Sequence, residues 1–319
     1  MHTPQFPHPA QQTQATTQAL QQQIQHTHQQ LHHLLQEVGR VIVGQQSLLE
    51  RMVVGLLTGG HLLLEGVPGL AKTLTVQTLA SCLSLQFQRI QFTPDLLPSD
   101  LLGTLIYQPQ TGNFQPKLGP LFHNLILADE INRAPAKVQS ALLEAMQEKQ
   151  VTLGETTYPL PKPFFVMATQ NPVEQEGTYT LPEAQLDRFL FKLMLTYPSK
   201  QEERQIMDRM VEAPPSPPQA VLSPEFLLHC QHMLPQIHVA DQIKEYILEI
   251  IFCTRDPQQS PLPDQPEPLS QPLHRYLSYG ASPRATLALN RAARAFALLH
   301  GRSYVIPDDI KAIALDVLR

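Results

Sequence analysis

The chain has 319 residues, a formal net charge of -5 and a hydrophobic content of 42%. At roughly 100–200 residues per domain, this length predicts two domains with an additional tail. The acidic charge argues against a nucleic-acid coat and against a polybasic membrane binder, since both need clustered Lys and Arg. The three cysteines are widely spaced, and the sequence has neither a signal-peptide pattern nor an apolar run of about 18 residues. These features predict a cytoplasmic protein without a disulfide framework, a structural zinc or an integral membrane segment.

The N-terminal segment is rich in Gln, His and Pro. Residues 1–16 hold too few large apolar side chains to build a core, which predicts a disordered leader. Apolar residues then recur at helical spacing from Leu20 to Val38. This periodicity predicts a helix over 17–39 that packs on the first domain, which we place at 17–200.

The first domain alternates strand and helix patterns. The predicted strands are 62–64, 87–92, 125–128, 164–169 and 189–195. The predicted helices are 73–85 and 138–148. Such βαβ alternation predicts a parallel sheet with helices on its faces.

The second domain, which we place at 201–319, has mainly helical patterns. The predicted helices are 226–234, 242–254, 283–299 and 307–318. Pro307 followed by two aspartates is typical of a helix start, because Pro fits the first turn and acids favour the positive end of the dipole. The Pro-rich stretch 256–272 is interpreted as an exposed insertion between helices.

The strongest local motif follows the first predicted strand. Residues 66–73 (GVPGLAKT) match the phosphate-binding pattern GxxxxGK[ST] at every fixed position except the second glycine, which is Ala71. Glycines let backbone amides surround phosphate oxygens, Lys72 reaches the β- and γ-phosphates, and Thr73 offers a hydroxyl to Mg²⁺. Ala71 requires only that its position avoid a conformation open to glycine alone. The predicted nucleotide-binding residues are Gly66, Val67, Pro68, Gly69, Leu70, Ala71, Lys72 and Thr73.

A second motif ends the strand predicted at 125–128. Two acids follow it, and we expect Asp129 to hold Mg²⁺ together with Thr73 and Glu130 to polarise the water that attacks the γ-phosphate. If this pair is considered without the phosphate loop, two solvated acids at the end of a strand are a sufficient explanation. Because the pair lies downstream of the phosphate loop in one α/β region, the two motifs together predict an NTPase that binds a nucleoside triphosphate with Mg²⁺.

Three further polar residues lie at element boundaries. Asn171 follows the strand at 164–169, and from there it would position the attacking water. Taken alone, an Asn-Pro turn is the better explanation of this residue. Arg188 and Arg284 each begin or end an element, where an ordinary surface arginine is the default interpretation. Only the surrounding pattern makes them candidates for sensing phosphate.

Five segments in this order resemble the MoxR-type ATPases of the AAA+ superfamily: GVPGLAKT, LILADEINRAP, ATQNP, LPEAQLDRF and GASPRA. The resemblance covers roughly residues 30–319. It implies an α/β AAA+ P-loop core, with a parallel sheet flanked by helices, and a small C-terminal all-helical lid. It also implies ATP at a subunit interface, usually in a hexameric ring. Residues 93–121 resemble the helix-2 insert of this clade and 149–163 its next hairpin, and both would face the pore or the client.

The resemblance also implies roles for individual residues. Residues 66–73 resemble Walker A, Asp129 and Glu130 resemble Walker B, and Asn171 resembles sensor 1. Arg188 resembles the arginine finger that reaches the neighbouring subunit's ATP, whereas Arg284 resembles sensor 2, acting on its own subunit's ATP. The motif positions of Arg133 and Glu148 suggest places near the subunit interface. Gln91 is a candidate polar switch that restrains Glu130.

The function implied is a chaperone that remodels or activates partner proteins, often ones with a von Willebrand factor A domain. One alternative is a chelatase-type subunit that drives metal insertion into a tetrapyrrole, because the magnesium chelatase ATPases form a neighbouring clade. Another is a DNA translocase, which predicts basic residues on the hairpin at 149–163. That segment offers Lys149 and Lys162 against Glu155, which is a weak signal for nucleic acid.

Overall fold

The computed structural model of the chain describes residues 9–66, 71–171, 177–212, 216–255, 277 and 279–319. The strands are β1 (Leu62–Gly66), β2 (Phe87–Gln91), β3 (Gly103–Gln108), β4 (Asn113–Leu118), β5 (Leu125–Asp129), β6 (Gln150–Leu153), β7 (Thr156–Pro159), β8 (Phe165–Gln170) and β9 (Phe191–Leu195). The helices before β9 are α1 (Pro9–Val41), α2 (Gln46–Thr58), α3 (Lys72–Cys82), α4 (Pro98–Leu102), α5 (Ala136–Glu148) and α6 (Glu183–Leu186). The later helices are α7 (Lys200–Glu212), α8 (Pro224–Met233), α9 (Asp241–Arg255), α10 (Pro283–Leu299) and α11 (Pro307–Leu318).

The five predicted strands form one parallel sheet in the order β2-β5-β8-β1-β9, as the sequence predicts. Successive side chains of a strand point to opposite faces, so Leu62 and Leu64 lie in one hydrophobic core and Leu63 in the other. Because both faces are covered, the central strands are continuous apolar runs without polar alternation.

Two antiparallel hairpins extend from this sheet. The predicted insert at 93–121 contains α4 and the hairpin β3–β4, and the predicted hairpin at 149–163 contains β6–β7. One face of β3–β4 is largely apolar, and its Tyr107 and Phe114 rings lie 5.3 Å apart. Both side chains are more than half exposed.

Besides the short α4 and α6, two helices of 13 residues each escaped prediction, α2 and α7. In α2, nearly every residue from Leu48 to Leu57 is buried, so the polar positions that mark an amphipathic helix are missing. This helix contains Gly55, which packs closely against the Phe165 ring. A Cβ at position 55 would lie only 2.9 Å from that ring, so a larger residue does not fit there. The other helix, α7, follows Ser199, whose hydroxyl accepts a hydrogen bond from the Glu202 amide.

The N-terminal helix is longer than predicted. It begins at Pro9, inside the leader of residues 1–16 that we expected to be disordered, and residues 1–8 lie outside the described residues. Proline fits the first turn of a helix, and the Gln and Ala residues that follow are good helix formers. The prediction gave too much weight to the lack of large apolar side chains.

The C-terminal helices α8 to α11 share one hydrophobic core with α1, α2, α3 and one face of the sheet. The guanidinium of Arg51 on α2 is buried in this core, where its Nε donates to Asp316 Oδ2 on α11 at 2.9 Å. It also lies 5.3 Å from the centroid of the Phe296 ring on α10. The predicted insertion at 256–272 lies outside the described residues. Across the described part of the chain, no helix has the length and apolar character needed to span a bilayer.

Candidate active site

A cleft of about 500 Å³ opens where four parallel strands end. The register aligns Gln91 on β2 with Asp129 on β5, and Ala128 on β5 with Ala168 on β8. The side chains that follow on each strand therefore converge at one edge of the sheet. Seven predicted site residues line this cleft: Gly66, Ala71, Lys72, Thr73, Asp129, Glu130 and Asn171. The other predicted loop residues, Val67, Pro68, Gly69 and Leu70, lie outside the described residues.

Both ends of the phosphate-loop motif are tightly constrained. A Cβ on Gly66 would lie 2.9 Å from the carbonyl oxygen of Leu195, so glycine is needed there for close strand packing. Ala71, the residue before α3, has φ 53° and ψ 24°, in the left-handed region that glycine adopts most easily. Its conformation is therefore open to alanine but favours the glycine of the standard pattern.

The ammonium group of Lys72 lies inside the cleft. Its Nζ donates to the carbonyl oxygen of Gly66 at 2.9 Å. Burial lowers the pKa of Lys72, and the negative charges of Asp129 and Glu130 oppose that shift. A phosphate entering the cleft would replace the neutral carbonyl by a charged partner, which favours a protonated, phosphate-binding lysine.

Thr169 ties the two acidic residues together. Its hydroxyl donates to Asp129 Oδ1 at 2.6 Å and accepts from the Glu130 amide at 2.9 Å. Glu130 has φ 58° and ψ 50°, which is an unusual conformation for a residue with a side chain. The hydroxyl thus holds a strained turn that sends the Asp129 and Glu130 side chains into the cleft.

Gln91 contacts Glu130 as the resemblance implied. The Gln91 Nε2 group donates to Glu130 Oε2 at 2.8 Å, and Arg133 Nε lies 3.3 Å from the same oxygen. Arg133 is therefore beside Glu130 in this subunit, on the 3₁₀ turn Ile131–Arg133. Both contacts hold the carboxylate that we expect to act as the general base.

The donors in the cleft fit a nucleotide with a hard divalent cation. Magnesium prefers oxygen ligands, and the Thr73 hydroxyl and the Asp129 carboxylate both line the cleft. Asp129 Oδ2 already accepts two hydrogen bonds from the Arg89 guanidinium, from Nη2 at 2.6 Å and from Nε at 3.1 Å. A positively charged guanidinium therefore lies on the predicted metal ligand.

Arg188 and Arg284 do not line this cleft. They line a separate cavity of about 280 Å³ together with His61, Met146 and Asp187. In the arrangement described, Arg284 is therefore not beside its own subunit's cleft, and its role as a sensor for that ATP stays a prediction. The physical reason is the packing of α10, whose N-terminal Arg284 lies 3.8 Å from Asp187, beside Arg188, and not at the ends of β1 and β5.

The Arg188 guanidinium is only partly bonded. Its Nη1 group donates to the Leu143 carbonyl at 3.0 Å, while its buried Nε–H has no hydrogen-bond partner among the described residues. Glu144 and Glu148 of α5 line a further cavity beside Arg188. The predicted interface residue Glu148 therefore shares a surface with Arg188, whereas Arg133 does not.

Three polar residues of these sites were missed from the sequence. Arg89 and Thr169 lie within predicted strands. The available signals were the polar Thr169 after an apolar run and the charge of Arg89 in a strand that also holds two glutamines. Asp187 belongs to the segment LPEAQLDRF, but the sequence predicted no function for it. Its Oδ1 accepts from the Ser282 hydroxyl at 2.7 Å, and the same hydroxyl accepts from the Arg284 amide at 3.0 Å. Asp187 thus connects the LDRF and GASPRA segments directly.

Comparison with known proteins agrees with this arrangement. Residues 61–191 match the model of the ATPase family associated with various cellular activities (AAA), and residues 272–319 match the AAA lid domain. The chain is 53% identical to Chaperone MoxR1 of Mycobacterium tuberculosis over 283 residues, 89% of this chain and 73% of that protein. It is 47% identical to the uncharacterized protein YeaC of Bacillus subtilis, over 88% of this chain and 82% of that protein.

A solved structure shares the fold closely. The crystal structure of a candidate ATPase from Cytophaga hutchinsonii superposes with a TM-score of 0.83 at 48% sequence identity, covering 95% of this chain and 90% of that chain. The AAA match covers the parallel sheet with Lys72, Asp129 and Glu130, and the lid match covers the C-terminal helices α10 and α11. The chain therefore belongs to the MoxR family of AAA+ ATPases.

Proposed function

We propose that this chain is a chaperone that hydrolyses ATP between adjacent subunits of a homo-oligomeric ring, most simply a hexamer, and thereby remodels or activates partner proteins. The observation that carries the proposal is the separation of the two sites. Lys72, Asp129 and Glu130 line one cleft, whereas Arg188 and Arg284 line another cavity. Cations that stabilise the γ-phosphate would then come from the neighbouring subunit.

The residues of the cleft divide the chemistry among them. Lys72 binds the phosphates, while Thr73 and Asp129 would hold Mg²⁺, which supplies charge neutralisation at the phosphate oxygens when bound. Glu130 accepts a proton from the attacking water, and Asn171, which is buried at the cleft wall, orients that water. Release of Glu130 from Gln91 precedes this step, because the carboxylate oxygen is otherwise occupied by the hydrogen bond from Gln91.

Arg188 and Arg284 supply the complement from the next subunit. Phosphoryl transfer spreads negative charge over the equatorial oxygens, and an arginine placed there contributes about 10³–10⁵ in rate. The Arg188 side chain lines a cavity, and its guanidinium, which donates to the Leu143 carbonyl, would reorient to make such a contact. Asp187 would align both arginines, since it contacts the segment that carries each of them.

The client assignment rests on the resemblance and on the names of the relatives. Proteins with a von Willebrand factor A domain are the clients we propose. The name Chaperone MoxR1 of the mycobacterial relative favours this function over metal insertion into a tetrapyrrole or DNA translocation. The thiols of Cys82, Cys230 and Cys253 are free, which favours a reducing cytoplasm.

A subunit-mixing experiment tests the shared site. Glu130→Gln subunits should bind ATP and lack turnover, while Arg188→Ala subunits should keep the general base and lose the finger. Mixed in equal amounts, the two inactive proteins should regain activity at about a quarter of the interfaces. These are the interfaces where the cleft of an Arg188→Ala subunit faces Arg188 of a Glu130→Gln subunit. The measurement is phosphate release per subunit, with binding of a fluorescent ATP analogue as the control.

Two results would contradict the proposal. If Glu130→Gln keeps substantial hydrolysis, the general base lies elsewhere. If mixing restores nothing although the subunits co-assemble, as size-exclusion chromatography would report, Arg188 does not act across an interface.

A further inference from the structure

Arg89 occupies an unusual place on the edge strand β2. Parallel pairing aligns it with Leu127 of β5, and its long side chain extends along the strand towards the cleft. There the guanidinium donates twice to Asp129 Oδ2 and, through Nη2, to Gln91 Oε1 at 2.8 Å. One cation thus contacts both the predicted metal ligand and the predicted switch residue.

The contact with Gln91 fixes the orientation of its amide. Because the Gln91 carbonyl oxygen accepts from Arg89, its NH₂ group points the other way, where it donates to Glu130 Oε2 at 2.8 Å. Asp129, Arg89, Gln91 and Glu130 therefore form one continuous hydrogen-bonded chain. A change at the Asp129 end alters the restraint at the Glu130 end.

We infer that Arg89 is a positioning residue that covers the cation site on Asp129 and, through Gln91, keeps Glu130 restrained until a divalent cation replaces it. This inference rests on the proposed function of the cleft and adds a sensor of metal occupancy to it. A cation approaching Asp129 competes with the guanidinium for the same oxygen and repels it. The Arg89 side chain is 49% exposed, so solvent can accept it once it leaves.

Displacement of Arg89 has a consequence for Glu130. Gln91 loses the donor that orients its amide, so its NH₂ group is no longer held against Glu130. The Glu130 carboxylate is then free to contact the attacking water only in a subunit whose cation site is filled. Such an order of events would protect bound ATP from premature hydrolysis without the metal.

The test measures ADP binding, which requires neither hydrolysis nor a finger from the neighbouring subunit. In wild-type protein, part of the affinity gained from Mg²⁺ is lost in displacing Arg89. Arg89→Met removes that competition, so the ratio of ADP dissociation constants without and with Mg²⁺ should rise about two- to fivefold, the range of an exposed ion pair. Calorimetry of the full-length protein in EDTA and in MgCl₂ gives this ratio.

The matched control is Lys192→Met on the opposite edge strand, β9. Lys192 Nζ lies 2.9 Å from Glu65 Oε2, so this variant also removes an edge-strand cation paired with a carboxylate. The control should leave the Mg²⁺ ratio unchanged. Arg89→Gln serves as a second variant that should raise the ratio in the same direction.

The inference is overturned if both Arg89 variants give the wild-type ratio or a lower one. If the wild-type protein binds no ADP in either buffer, the proposed function itself fails. A double-mutant cycle with Gln91→Leu tests the remaining step. Non-additive effects of the two substitutions on ATP turnover support the coupling through Gln91, and strictly additive effects refute it.

Discussion

The hydroxyl of Thr169 offers the most direct test of how the fold presents its acids. Thr169→Val keeps the shape of the side chain but removes one hydrogen bond to a carboxylate and leaves the Glu130 amide without its acceptor. A hydrogen bond to a charged group is worth about 1.5–3 kcal/mol, and an unsatisfied buried amide costs about 1–3 kcal/mol. Thr169 is 1% exposed, and we therefore expect about 2–4 kcal/mol of lost unfolding free energy.

Urea unfolding and ATP turnover measure the two consequences. Thr169→Ser retains the hydroxyl and should keep most of the stability and activity. Thr78→Val, at a buried threonine on α3 that is outside the cleft lining, controls for the loss of any buried hydroxyl. Turnover should fall by about 10²-fold, because Asp129 and Glu130 lose their common anchor. A Thr169→Val protein within about 0.5 kcal/mol of wild type and fully active would refute the reasoning.

Two further predictions concern a buried histidine and a strained alanine. Burial lowers the pKa of His61 from 6.5 to about 4, so between these values the unfolded chain binds more protons and stability falls with falling pH. Between pH 7.5 and pH 5, the unfolding free energy measured in urea should fall by about 2 kcal/mol more for wild type than for His61→Asn. If both proteins lose unfolding free energy equally with pH, the titration of His61 does not contribute. Ala71→Gly should stabilise the protein by up to about 1 kcal/mol, because it relieves the left-handed conformation. A clear loss of stability in the same assay would contradict it.

The sheet and the cleft were predictable because their signals are local. Strand β1 is an apolar run that ends at a glycine-rich loop, and β5 is an apolar run that ends at Asp129 and Glu130. In a parallel sheet these ends must meet at one edge, so Lys72 and Asp129 could be assigned to one site without knowing the strand order.

The position of Arg284 could not be predicted in the same way. It depends on how α10 packs against the first domain and on a contact between Asp187 and Ser282, which are 95 residues apart. The role of Arg89 was hidden for a related reason. The sequence marks it as a charge within a strand, but only the register of β2 and β5 brings it to Asp129.

The shared core of the C-terminal helices limits which parts of a subunit can move. Opening a hinge between these helices and α2 would expose apolar side chains such as Leu289 and Ile313 and would break the Arg51–Asp316 pair. Each large apolar side chain exposed costs about 1.5–3 kcal/mol, so exposing four of them approaches the stability of a whole domain. Each subunit should therefore move as one rigid block during the ATP cycle. The conformational change would then occur at the interfaces between subunits. The exposed β3–β4 hairpin would move together with the subunit that carries it.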